Sequence, residues 1–490
     1  MPLVVLTLLF LNFLAPPLCA EEAAYHLIFD QKDFKRITVE ATLTAADSSL
    51  KMIDWGYPSQ LERGWAEFVR DLQVSHHGQA LVPVPVAGGG WKVAVADGSP
   101  LQLRYTVEIS HDRYNWDEGG GNDSRPAIVG NTLFCITKAL FIYAGPDSLP
   151  ATVKITAPAD WRFSTPWTPD PQQPGAWRCR DLYHLADNVV VIGQQSQRII
   201  QDGNMQIILA IDPAMDQDFP MISDILARQL GAYRKIFGQT PAARYLIALR
   251  RDPQDDGEAF NDSFIQVFAN ADLPHHKIGW ANTFGHELFH YWNGAGRIQG
   301  ADWRATQWFT EGFTDYFSSL VLARNGIIPE EVWFKKLERY FARYWVMYNK
   351  FPEGRLSLAE AGKDKNRNWL LVYGGGATLA FLLDVQMRQR SGGEVGLDRV
   401  MRLMDERFGE SQRGFTLEDF IAVVDEASGP GLENFIRTYV EGNTQMPPVA
   451  EIARRIGLNV TQFADEFYIT RHSQAGETET KLLDGLLWRE

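Results

Sequence analysis

His286-Glu287-Leu288-Phe289-His290, set inside the apolar and aromatic stretch from Trp280 to Trp292, decides how the rest of the chain is read. On an α-helix, residues four apart are separated by about 400° of rotation, so the two imidazoles share one face. Zn²⁺ takes two such nitrogens plus a carboxylate and leaves its fourth position to water. Glu287 sits off the ligand face but within reach of that water, where a carboxylate can take its proton. By average residue usage, about one chain in a hundred of this length carries the five-residue pattern by accident. Most such accidents fall on exposed helices, whereas here a charged Glu and two histidines lie in a stretch where unpaired polar groups are costly to bury.

A second segment, Trp308-Phe309-Thr310-Glu311-Gly312-Phe313-Thr314-Asp315-Tyr316-Phe317, reads as an apolar helix with two isolated acids. Glu311 supplies the carboxylate for a zinc site with His286 and His290, one ion per chain. Asp315, one turn later, is placed to accept the free ring N–H of a ligand histidine and fix its tautomer.

Outward from this centre the hydrophobic period changes. Between residues 21 and 212 it is mostly two, and Lys35 to Thr44, Leu101 to Ser110, Ala139 to Ala144, Ala151 to Ala157, Val189 to Gly193 and Met205 to Asp212 read as strands. Gly88-Gly89-Gly90 and Asp170-Pro171 break the pattern. The expectation is an N-terminal antiparallel β domain, sandwich-like, over 21–212. The triple glycine is a loop rather than a phosphate cradle, because no Gly-Lys-Ser/Thr follows it. From 213 to about 458 a helical reading dominates: Met221 to Phe237, the metal helix to about Asn293, the Glu311 helix to about Asn325, and further helices from Glu330 to Val440. Two short strands, Arg244 to Leu249 and Ser263 to Phe268, precede the metal helix. The fold class is α+β, with a mostly helical zinc-binding catalytic domain over 213–458 and a short tail over 459–490.

The first twenty residues read as a signal peptide. Leu3 to Ala15 is nearly unbroken apolar sequence, followed by Pro16-Pro17-Leu18-Cys19-Ala20 and the pair Glu21-Glu22. The run is shorter than the roughly 20 residues that span a bilayer. It has no Lys or Arg before it, and Leu18 is larger than the residue usual at that place. Leu18 also fits poorly with a lipoprotein reading of Cys19. The expectation is an exported protein, periplasmic or secreted, with no membrane span in the mature chain. Cys135 and Cys179 then remain, either paired or as two buried thiols. Net charge is −14 with no Lys/Arg cluster, which argues against nucleic acid as a partner. The 45% apolar content is that of a chain with a real core. The oligomeric state is not readable.

The continuation Tyr291-Trp292-Asn293 after the metal helix, and Trp-Phe-Thr-Glu-Gly-Phe-Thr-Asp-Tyr from Trp308, resemble the glycyl aminopeptidase family of thermolysin-like zinc peptidases. Trp55-Gly56-Tyr57-Pro58, Phe237-Gly238 before Pro241, and the stretch Tyr373 to Gly393 extend the similarity over nearly the whole mature chain. The resemblance implies an N-terminal β domain, a thermolysin-like catalytic domain, one zinc, and peptide substrates shortened from their N-termini. It implies His286, His290 and Glu311 as metal ligands, Glu287 as general base, and Asn293 with Asp315 as their supports. It also implies Tyr373 as the phenol that donates to the tetrahedral oxyanion, a role suited to a neutral donor; on local pattern alone Tyr373 is a helix-edge aromatic.

Three departures stand out. Tyr373-Gly374-Gly375-Gly376 replaces Tyr-x-Lys-Gly. The segment Asp255-Asp256-Gly257-Glu258-Ala259 replaces Gly-Gly-x-Glu, leaving Glu258 as the nearest candidate for the substrate amine, or else as a solvated loop acid. The tail after Leu458 is too short for the PDZ domain that many members carry. The functional expectation is an exported zinc aminopeptidase acting on small N-terminal residues. An endopeptidase on the same scaffold and a non-catalytic zinc-stabilised peptide-binding module are the alternatives.

Overall fold

Alternating burial along Asp33–Thr44 and Pro100–Glu108 builds the first layer of the computed structural model: every second side chain, among them Ile37, Val39, Leu43, Leu101 and Tyr105, faces one core. The structure describes residues 22–489, apart from 31, 59, 110, 112–124, 239, 241–242, 270–271, 352–354, 411–412 and 444. The expected signal segment, 1–20, lies outside the described residues.

Asp33–Thr44 pairs antiparallel with Ala23–Asp30 on one side and Pro100–Glu108 on the other, within an eight-stranded sheet. Ala23–Asp30 also pairs with Ala151–Thr156, and that pairing is parallel, so the sheet is mixed rather than purely antiparallel. A four-stranded sheet built on Thr132–Ile136 and Val189–Gly193 shares the same core, giving the sandwich.

The expected strand from Ala139 to Ala144 does not form. A single turn, Thr137–Ala139, leads into buried irregular chain. Tyr143 pairs with Lys51 in a single antiparallel bridge, and before it side chains take the backbone: the Tyr25 hydroxyl donates to the Ile142 carbonyl, and the Tyr105 hydroxyl donates to the Leu140 carbonyl while accepting from the Ile142 N–H. Cys135 and Cys179 are free, buried thiols whose pKa values burial pushes up.

Ser196–Asp202 and Met205–Ile211, which the sequence pattern groups with the first domain, hydrogen-bond instead into the second half's sheet. That five-stranded sheet runs Ser196–Asp202, Met205–Ile211, Arg244–Arg251, Ser263–Phe268, Asp256–Ala259, with the three central strands parallel. It is buried on both faces, which explains its unbroken apolar runs. Ile207, Leu209, Ile247 and Leu249 join the helical core, while Ile208, Ala210, Leu246 and Ala248 join the sandwich core.

Helices then follow from Phe219–Phe237 to Val449–Arg454. One of them, with the turn before it, spans Leu370–Ser391 and is long and apolar enough to cross a membrane, which corrects the expectation that no stretch after the first segment has that length and apolarity; 83% of its most apolar window is buried inside the protein, as in a core helix. The tail is built into the fold. The hairpin Leu458–Phe463 with Glu466–Arg471 and the helix Glu477–Leu486 add Phe467, Ile469, Leu482 and Leu486 to the helical core.

Candidate active site

The helix Lys277–Phe289 is fastened by Trp280, Phe284, Leu288 and Phe289, which turn into the core and leave His286 and Glu287 toward the site. It ends four residues before the expected Asn293, with His290 as its capping residue in helical conformation, and the His290 N–H still bonds the His286 carbonyl. The one-turn relation of the two imidazoles is therefore kept. Beyond it the chain turns so that the Asn293 carbonyl lies 2.8 Å from His290 Nδ1. The Asn293 side chain donates to the Phe309 and Thr310 carbonyls and to Thr314 Oγ1, locking this turn to the segment that carries Glu311.

Glu311 and Tyr373 both lie in π-helical turns, Trp308–Phe313 and Leu370–Gly375. Such turns add a residue to the helical repeat and are frequent at functional sites. The first turn meets the start of the helix Gly376–Ser391 where Gly312 and Gly376 touch. A Cβ built on Gly312 falls 2.4 Å from Gly376 Cα, and one on Gly376 falls 2.1 Å from the Trp308 carbonyl oxygen. Only glycine permits this approach, which brings the two π turns together. Gly375, where the resemblance expects a lysine, packs against Leu358 and Leu371.

His286, His290 and Glu311 form a buried cluster. The two Nε2 atoms are 3.0 Å apart, and Glu311 Oε2 lies 3.3 Å from one and 3.4 Å from the other. A tetrahedral ion with bonds of about 2.0–2.1 Å has ligand edges of roughly 3.3 Å, so the triangle fits Zn²⁺ in both size and donor type. His286 Nδ1 faces Asp315 Oδ1 at 3.2 Å. Burial alone would lower the His286 pKa, but hydrogen bonds to Asp315 and Glu311 outweigh it and raise the value to about 10.

Glu287 is buried, and desolvation raises its carboxyl above the usual range against the opposing pull of both histidines. It packs against Gly257: a Cβ there would lie 2.9 Å from Glu287 Cγ. That glycine lets the edge strand Asp256–Ala259 run close beside the candidate base. Asp256 on the same strand has its pKa raised to about 6 by burial and by Glu287 and Glu258. Burial, reinforced by Glu311 and Asp315, holds the Tyr373 hydroxyl well above its ordinary value, so it stays a neutral donor. Its ring stacks near His286, with centroids 6.0 Å apart.

Glu258 is brought to the same strand but is already engaged. The buried Lys138 ammonium, contributed by the sandwich, lies 3.5 Å from Glu258 Oε1 and 3.1 Å from Asp187 Oδ1. Lys365 is a residue that sequence reasoning missed. Its Nζ lies 2.7 Å from Glu311 Oε1, yet in the run Lys363-Asp364-Lys365-Asn366-Arg367 it looks like any solvated loop cation. A concavity of about 680 Å³ lies elsewhere, over the sandwich sheet face carrying His26, Glu40, Gln102 and Arg104, and none of the metal-cluster residues line it.

A profile of the Peptidase M61 N-terminal domain matches residues 24–194, and one of the M61 glycyl aminopeptidase matches residues 280–374, spanning the metal helix, Glu311 and Tyr373. The chain belongs to the M61 glycyl aminopeptidase family. It is accordingly a metallo-aminopeptidase by family. No curated protein sequence matches it. Among solved structures, this M61 chain is similar to an aminopeptidase N family protein from Idiomarina loihiensis, at 20% identity and a TM-score of 0.75 over 90% of this chain and 79% of the other. It is also similar to an M1 zinc metallopeptidase from Deinococcus radiodurans, at 17% identity and a TM-score of 0.55 over 87% and 94% of the two chains. A third is yeast LTA4 hydrolase, at 15% identity and a TM-score of 0.54 over 89% and 70%. Likeness at this level establishes a shared fold.

Proposed function

We propose that this protein is an exported zinc aminopeptidase that removes small residues from peptide N-termini. The observation that carries the reading is the triangle of His286 Nε2, His290 Nε2 and Glu311 Oε2, sized for one tetrahedral ion and flanked by Glu287. Zinc bound there supplies a Lewis acid for a carbonyl and lowers the pKa of water. The chain's own residues supply the rest. Glu287 takes a proton from the attacking water and delivers it to the leaving amine nitrogen, a transfer favoured by its raised pKa. Tyr373, still protonated, donates toward the carbonyl oxygen as negative charge develops there. The strand Asp256–Ala259 stands at the edge of its sheet, where a peptide can lie alongside it.

A second reading, an endopeptidase, is favoured by one observation: Glu258 shares its charge with Lys138 instead of awaiting a free amine. Equal turnover of N-acetylated and free peptides would support that reading, while dependence on a free α-amine supports the first. The central test is metal analysis with a panel of aminoacyl anilides. Activity is expected only with zinc present, strongest on small residues, and abolished by a chelator; undiminished activity in metal-free protein would reject the proposal. For export, supported by Leu3 to Ala15 and Ala20, the test is N-terminal sequencing of the protein from cell fractions, with a mature end at Glu21 expected.

A further inference from the structure

The two oxygens of Glu311 have different partners. Oε2 faces both histidine nitrogens, at 3.3 and 3.4 Å, while Oε1 is taken by Lys365 Nζ at 2.7 Å. Glu311 is only 8% exposed, whereas the Lys365 side chain is 33% exposed, so the lysine reaches inward from the surface to a buried carboxylate. Its reach is supported. Asn368 Nδ2 donates to the Ala361 and Asp364 carbonyls and closes the turn that carries Lys365. On its other side the ammonium lies 6.0 Å from the Tyr373 ring centroid.

A carboxylate with two free oxygens can bind a small cation through one or both, and the choice sets how many positions remain for substrate and water. We infer that Lys365 is a positioning residue that holds Glu311 to one-oxygen ligation, reserving Oε1 for itself and leaving Oε2 to the metal. The ammonium also balances charge. Three buried carboxylates, Glu287, Glu311 and Asp315, surround a site for a doubly charged ion; Arg343 faces Asp315 at 3.9 Å, and Lys365 supplies positive charge at Glu311. A solvated surface pair would do neither, since its exposed carboxylate would be free to turn.

This inference rests on the metal reading above, and cobalt substitution separates the two. Wild-type protein loaded with Co²⁺ should show the intense visible bands of a four-coordinate ion. Wild-type protein that takes up neither Co²⁺ nor Zn²⁺ would reject the metal reading itself. In Lys365→Met and Lys365→Ala, Glu311 is released to bind through both oxygens, so the bands should lose at least half their intensity. Lys365→Arg should restore the spectrum. Thermal melts of the zinc-free variants verify that they are folded. A cobalt spectrum in both Lys365→Met and Lys365→Ala that is indistinguishable from wild type overturns the inference.

Discussion

His286 gives its Nδ1 to Asp315 Oδ1 across 3.2 Å, and both side chains are buried. The contact leaves Nε2, the nitrogen that points at His290 and Glu311, as the one available to a metal. Asp315→Asn keeps the shape and removes the anion. Zinc affinity should fall by about 10–100-fold, as is usual for partners of a ligand histidine. Chelator competition measures it, and wild-type affinity in this variant would assign Asp315 a purely structural role.

The same acids make metal uptake proton-linked. With burial opposing, Asp315 and Glu311 hold the His286 pKa at about 10 in the metal-free protein, above the roughly 6.5 of an unfolded chain. Below about pH 6.5 this proton stabilises the metal-free fold in full, and the stabilisation is lost as pH rises through about 10. Zinc needs the neutral ring, so between pH 7 and 9 each ion bound should displace close to one proton and bind more tightly as pH rises. Calorimetry in buffers of different ionisation enthalpy counts the protons. A heat independent of buffer contradicts this.

Acid stability turns on a different histidine. Burial, helped by Arg180, lowers the His184 pKa to about 3. Its neutral ring accepts from the Arg180 N–H, while its carbonyl accepts from the Trp167 indole. The folded value lies below the unfolded one, so this stability is complete above about pH 6.5 and drains away as pH falls toward 3. Urea unfolding of chelator-treated protein between pH 4 and 7 should be steeper in pH for wild type than for His184→Gln.

Glu287→Gln and Tyr373→Phe separate two roles at one site. Loss of the base should lower kcat by about 10²–10⁴-fold with zinc retained. Loss of the phenol should cost about 10²–10³-fold in kcat with little change in KM. Steady-state kinetics on an aminoacyl anilide, alongside metal analysis, reads both. A fully active Tyr373→Phe would remove the residue from the chemistry.

The Gly312–Gly376 contact admits no side chain. Gly376→Ala must drive its methyl into the Trp308 carbonyl and push the two π turns apart, at a cost of about 1–3 kcal/mol. Denaturant midpoints test the stability. Activity should fall further than stability, because Glu311 and Tyr373 ride on the displaced turns.

Much of the site is legible in the chain itself because it is local: His286 and His290 are one helical turn apart, and Asp315 is one turn beyond Glu311. What escapes is non-local. Lys365 meets Glu311 across 54 positions of sequence, and nothing in its polar neighbourhood marks it. The π turns hide because the apolar pattern around Glu311 and Tyr373 is compatible with an ordinary helix. Ala139 to Ala144 reads as a strand because a buried apolar run looks alike whether its backbone is satisfied by a neighbour or by two tyrosine hydroxyls. Met205–Ile211 is recognisably a strand, but its sequence does not say which sheet it joins.

Lys138 carries a consequence for anyone who would cut this enzyme down. Its ammonium belongs to the sandwich but faces both Asp187 and Glu258, and the latter sits on the strand beside the base. Severing the chain near residue 195 would orphan Glu258 and wet the underside of the central sheet at Ile208, Leu246 and Ala248. The two halves are thus a floor and a ceiling of one room, and a truncated catalytic half would inherit a site whose recognition wall has lost its keystone.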